Sequence, residues 1–241
     1  MLTEGARASP RTPWGPATGG GPATRCGLAW AVVASVIAVS GTSAQTPTGI
    51  EVLELAASRH ERIDALCADF EQRLDIALLG EEHAGKGRLC HRRPSYFGMR
   101  FTEPAGDLVI ADGTWVWLYN PSMEEGQAIR YPAASSGGSH NIFHDFLDDP
   151  AARYTASYLG EEEFEGAGAA HRVRVKPRET AGFAAAELWI DLDEHILRKI
   201  RVEDENGTVR VVTLSAIDLA PALAPAWFEF VPPPGTTVIT R

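Results

Sequence analysis

After Leu66 the hydrophobic period of this chain drops to two and keeps returning to two as far as Leu219. Phe70, Leu74 and Ile76 begin the series. Lys86–Arg92, Tyr96–Thr102, Asp107–Ala111, Trp115–Asn120 and Glu125–Tyr131 follow. After an interruption come Tyr154–Glu163, His171–Lys176, Glu187–Asp191, Leu197–Glu203 and Val209–Leu219. Alternation marks strands with one buried face, and Asp112-Gly113 and Asn206-Gly207 are tight hairpin signals between them. Gly80-Glu-Glu-His-Ala-Gly85 reads as a further hairpin loop. It matches a phosphate-binding loop through Lys86, but Gly87 stands where that motif needs Ser or Thr, and a strand follows where it needs a helix. One long antiparallel meander of about ten or eleven strands must curl. With helices over its open side it makes a covered, barrel-like cavity in a mainly β fold.

Two segments are helical. Thr48 and Glu51 form a capping box at the start of a helix from about Gly49 to Leu66, with Ile50, Leu53, Ala57, Ile63 and Leu66 toward one side. In the interruption, Ser139 can cap a short helix whose Ile142, Phe143, Phe146 and Leu147 share one face, the expected lid helix.

Residues 1–44 are set apart. A Pro/Gly-rich stretch precedes an apolar run, Leu28–Val39, of about a dozen residues, the length of a signal-peptide core and short of a bilayer span. Thr42-Ser43-Ala44 offers small residues for cleavage near Ala44, so residues 45–241 are expected to be one exported domain. Cys26 precedes the apolar run and leaves with it. Cys67 shares parity with Asp69, Glu71 and Arg73, and Cys90 with Arg88 and Arg92. In an oxidising compartment, two cysteines on like faces of neighbouring strands are expected to pair.

With 32 acidic and 22 basic residues the net charge is -10, which argues against nucleic acid as a partner. His140 and His144 have a zinc-compatible i, i+4 spacing but no clear third ligand. No metal, cofactor or catalytic residue is expected.

Four stretches carry a resemblance: "LCADFEQ" (Leu66–Gln72), "GKGRLCHRRPSYFGMRFTEP" (Gly85–Pro104), "DLVIADGTWVWLYNP" (Asp107–Pro121) and "FEFVPPPGTTVI" (Phe228–Ile239). In this order they resemble the periplasmic outer-membrane lipoprotein carrier family (LolA-like). The resemblance implies an open, incomplete antiparallel β-barrel with an apolar cavity lidded by helices, and a monomeric chaperone, not an enzyme. It would take acylated lipoproteins from an inner-membrane lipoprotein-releasing ABC transporter to an outer-membrane lipoprotein receptor. A regulatory or sensory lipid-binding module on the same fold, or a lipid-storing protein, is the alternative. Arg93 stands at the family's Arg-Pro position, which implies a latch that hydrogen-bonds the lid backbone when the carrier is empty. Arg92, of opposite parity, is expected to be solvated. Phe70, Phe97, Met99, Phe101, Leu108, Ile110, Leu188 and Ile190 are expected to line the acyl-chain cavity. Trp115–Leu118 is apolar on both parities, so its inward set stays open.

Overall fold

Thr48 starts helix α1 (Gly49–Glu61) as the capping box requires: its hydroxyl accepts from the Glu51 N–H at 3.3 Å, and Glu51 Oε2 accepts from the Thr48 N–H at 2.8 Å. This computed structural model describes residues 46–133, 141–164 and 168–241, so the leader, its cleavage position, Ser139 and His140 lie outside the described residues. Val52, Leu53 and Ala56 form the buried side of α1. Gly49 lies so close to the strand at Ser157 that a Cβ there would come within 2.8 Å of the Ser157 carbonyl carbon.

The strands are β1 (Ala65–Ile76), β2 (Glu81–Arg92), β3 (Tyr96–Glu103), β4 (Leu108–Ala111), β5 (Trp115–Tyr119), β6 (Gln127–Pro132), β7 (Tyr154–Phe164), β8 (Gly168–Pro177), β9 (Ala185–Asp191), β10 (Leu197–Glu203), β11 (Val209–Asp218) and β12 (Thr237–Thr240). They form one open sheet in the order β12-β6-β5-β4-β3-β2-β1-β11-β10-β9-β8-β7. The expected barrel-like sheet is present, with two differences. The meander runs as two halves joined through the antiparallel β1–β11 pair, and β12 adds a twelfth strand, parallel to β6. The sheet therefore ends at β7 on one side, and the short helices α2 (Ile142–Leu147) and α3 (Pro150–Arg153) lie in sequence between the halves. Asn141 caps α2, its side chain accepting from the Phe143 and His144 N–H groups. The first hairpin also turns earlier than expected. Ala77–Gly80 is the turn, with Gly80 at φ +65°, and Glu81–Gly85 already pair with β1.

The helices cover one face of the sheet, here called inner. Phe70, Leu89, Phe97, Met99, Leu188 and Ile190 belong to its core with Leu53 and Phe143. The outer face of β1–β5 is covered differently. The segment between β11 and β12, with a short 3₁₀ turn at Pro225–Phe228, straps across it. Phe228 closes over Cys67 and Cys90, Trp227 lies against Gly98, and Phe230 packs on Trp117 and Tyr119. Arg100 ties the strap down, its Nη2 donating to the carbonyls of Trp227 at 3.1 Å and Glu229 at 2.9 Å.

Cys67 and Cys90 are directly opposed in the β1–β2 register and are disulfide-bonded, with Cα atoms 4.1 Å apart. Closing a loop of this size constrains the unfolded chain by about 3 kcal/mol. Replacing both cysteines by serine is expected to lower the urea-unfolding free energy by about that amount. An unchanged midpoint would show that the bond contributes nothing beyond the packing under Phe228.

Candidate functional site

The inner wall is built by pairing apolar positions across strands. Phe70 of β1 and Phe101 of β3 meet edge-on at 4.9 Å. Gly87 of β2 stands between them in register, and a Cβ there would fall 2.1 Å from the Arg100 carbonyl oxygen. The lid closes on this wall with Phe143, Phe146 and Leu147 of α2, all buried, and half-buried Ile142. Phe146 packs against Tyr154 and Phe183 at 5.9 and 5.4 Å, and the Tyr154 hydroxyl donates to the Asp145 carbonyl at 2.6 Å. A crevice of about 10 Å³ lies beside His60, Phe143 and Leu147.

Six of the eight expected wall residues, Phe70, Phe97, Met99, Phe101, Leu188 and Ile190, face inward. Leu108 and Ile110 do not. They pair with Arg100 and Gly98, so they face outward, into a cluster with Trp117 and Phe230, while Val109 and Ala111 take the inner positions. The strap buries the outer face of β4, which removes the polar residues that would have marked it as outer. The same register decides Trp115–Leu118: Val116 and Leu118 face inward, Trp115 and Trp117 outward.

Arg93 follows β2 and reaches the C-terminal end of α1. Its Nη1 donates to the Glu61 carbonyl at 2.6 Å, and its backbone N–H to the Asp64 carbonyl at 2.9 Å. A cation there also meets the negative end of the helix dipole. The contact is with α1 rather than α2. Arg92 is not a solvated side chain: its guanidinium lies 4.6 Å from the Tyr96 ring and 4.8 Å from the Phe228 ring, against the strap.

Three groups at the lid were not legible as functional residues. His91 sits on the inner face of β2, paired with Leu66 and Phe97. Its ring centroid lies 4.8 Å from that of His60, which stacks on Phe143 at 5.2 Å. Burial pushes His60 down to about 4, with Arg93 adding to the effect. Burial pushes His91 to about 3, helped by His60, Arg93 and His144. Asp145 on α2 goes the other way, raised by burial to about 8 against the pull of Arg153 and Arg210. His144 pairs with Asp148 at 3.5 Å on the lid surface, and among the described residues no three His, Cys, Asp or Glu are arranged to hold a metal.

An acid whose folded pKa is raised penalises folding as pH rises through its unfolded value near 4, and the penalty grows until about pH 8. Asp145→Asn is therefore expected to stabilise the protein at neutral pH by up to a few kcal/mol and to have no effect below about pH 4. Urea midpoints at the two pH values test this; an equal gain at both would trace the effect to packing instead.

An open space of about 680 Å³ lies on the outer face, lined by Trp189, Arg172, Lys199, Arg201, Glu71 and Arg73 among others. Arg172 pairs with Glu162 and Glu187 there. Its charged walls suit water rather than hydrocarbon, so the inner face remains the apolar site.

A family model described as "Outer membrane lipoprotein carrier protein LolA" matches residues 61–231. The chain belongs to this family. It is similar to the outer-membrane lipoprotein carrier protein of Methylobacillus flagellatus, 25% identical over 209 residues that cover 87% of this chain and 97% of that one. The carrier of Dechloromonas aromatica is also 25% identical, over 72% of this chain and 80% of its own length. A solved structure, an uncharacterized conserved protein from Thermus thermophilus, shares the fold with a TM-score of 0.52 at 17% identity, over 80% of this chain and 98% of that one. The family is one of carriers rather than enzymes. Its matched span contains α2, α3, β1–β11 and most of the strap, so His91, Asp145 and Arg93 lie within the part that defines the family, and His60 directly precedes it.

Proposed function

We propose that this carrier takes acylated lipoproteins from an inner-membrane ABC transporter, shields their acyl chains in the periplasm, and yields them to an outer-membrane receptor. The observation that carries this reading is the match between lid and wall. The inner face is apolar, and what covers it is a set of helices rather than a second sheet.

Each CH₂ taken out of water is worth about 0.8 kcal/mol, so a long acyl chain cannot cross water unaided at a useful rate. A permanently open cavity would leave the wall wet when empty. A lid whose Phe143, Phe146 and Leu147 occupy the wall avoids this. Each such side chain contributes roughly 1.5–3 kcal/mol by burial. Loading then exchanges lid side chains for acyl chains of comparable apolar area, and the exchange runs either way with small driving forces. The net negative surface keeps the loaded carrier from adhering to anionic lipid between visits.

The test is direct. Residues 45–241, purified from periplasm, should hold a radiolabelled diacylated lipoprotein in solution and pass it to receptor-containing outer-membrane vesicles. A chain that leaves the lipoprotein in detergent-free aggregates would overturn the carrier reading.

A further inference from the structure

His91 is out of place on an apolar wall. It is 3% exposed, and among the described residues neither Nδ1 nor Nε2 has a hydrogen-bond partner. A neutral imidazole presents one N–H donor and one bare acceptor nitrogen. Burying both unpaired costs stability that a phenylalanine at this position would not cost. The ring's closed-state neighbours are the rings of His60 on α1 and Phe143 on α2, the latter at 5.7 Å. The charged and titratable groups facing it are His60, Arg93 and His144.

Its position is as informative as its chemistry. His91 is two residues before Arg93, at the end of β2 where the latch holds α1. From there the inner side of β2 continues through Leu89 to Gly87, flanked by Phe97, Met99 and Phe101 of β3. A hydrocarbon lying along this track would have its polar end at His91. The piece of the molecule that covers His91, Phe143, belongs to the lid helix that cargo must displace.

We infer that His91 is a polar anchor for acyl cargo, its imidazole N–H donating to an ester carbonyl at the glyceryl end of the acyl chains once Phe143 has moved away. This rests on the carrier reading above and specifies which part of the cargo the cavity recognises. The closed state leaves the donor unpaired, and the loaded state satisfies it, so the group favours loading over an empty closed carrier.

The experiment uses two synthetic fluorescent lipopeptides, an S-diacylglyceryl-cysteine peptide and its dialkyl-ether analogue, which has the same hydrocarbon without the carbonyls. Both are titrated at neutral pH into the wild-type protein, His91→Phe and His91→Gln. The wild type should bind the diester roughly five- to tenfold more tightly than the diether. His91→Gln, which keeps a donor, should retain most of this preference. His91→Phe should bind both probes equally and melt at a higher temperature. Equal binding of both probes by the wild type, or an ester preference that survives in His91→Phe, would overturn the anchor and leave the carrier reading standing. Failure of the wild type to bind either probe would overturn both.

Discussion

On acidification from about pH 7.5 to about pH 5, the lid of the empty Asp145→Asn carrier is expected to loosen by a hundredfold or more; the substitution removes the carboxyl of α2 that burial raises to about 8 and whose own titration strengthens closure over the same range. Free histidine titrates near 6.5, whereas closure holds His60 down to about 4 and His91 to about 3. A ring with a depressed closed-state pKa takes its proton chiefly when the lid opens. Closure is therefore at full strength above about pH 7 and is lost progressively as pH falls through 6.5 toward those two values. At pH 5 each ring alone shifts the balance toward opening by roughly thirtyfold. The two rings face each other at 4.8 Å, so the second proton adds less than the first. Amide exchange of α2, corrected for the intrinsic effect of pH, reads the change. Adding His91→Phe to Asp145→Asn should shrink the response to that of His60 alone. Protection factors that are the same at both pH values in Asp145→Asn, or an added His91→Phe that leaves its sensitivity unchanged, would refute the coupling of these rings to lid closure.

Arg93→Leu should leave loading intact and slow delivery about tenfold. The guanidinium of Arg93 is exposed, which places its bond to the Glu61 carbonyl at the weak end of the range for charged donors. Removing it lifts the support of α1 without altering the apolar wall, so acyl chains still enter. The closed empty state then competes less well with the loaded one, and cargo leaves slowly. The same substitution removes a cation that disfavours protonation of His60 and His91, so the variant should also be less acid-sensitive. Transfer of a radiolabelled lipoprotein to receptor vesicles is the measurement. Arg92→Leu is the control, and the structure changes what it controls for. Resting against the rings of Tyr96 and Phe228, Arg92 steadies the strap by about 1 kcal/mol, so its loss should lower thermal stability and leave delivery at the wild-type rate. Wild-type delivery by Arg93→Leu, or slow delivery by Arg92→Leu, would show that the latch lies elsewhere.

Much of the architecture was legible along the chain because it rests on local patterns. The capping box at Thr48, the alternation through Phe97, Met99 and Phe101, and the hairpin signals at Asp112-Gly113 and Asn206-Gly207 each depend on residues close in sequence. So does the apolar face of α2, although its cap, Asn141, lies two residues beyond the serine that composition favours. Even the disulfide followed from parity, since Cys67 and Cys90 sit on strands joined by one turn.

What long-range packing decides could not be read in this way. Alternation says that a strand has two faces, but it names the buried one only when the other is polar. Alternation from Asp107 onward puts Leu108 and Ile110 inward; they face outward because a strap more than a hundred residues later in the chain covers that side. Arg92 reads as a surface charge until Phe228 is placed against it. His60 and His91 are ordinary residues in a helix and a strand, and only closure of α1 and α2 over β2 strips both rings of water and sets them beside Arg93. The local period of the chain thus determined its strands, turns and helix faces, because these depend on neighbours within a few residues. Which face is dry, and which polar groups are trapped there, was decided by the tertiary fold, because desolvation depends on everything that packs above a side chain.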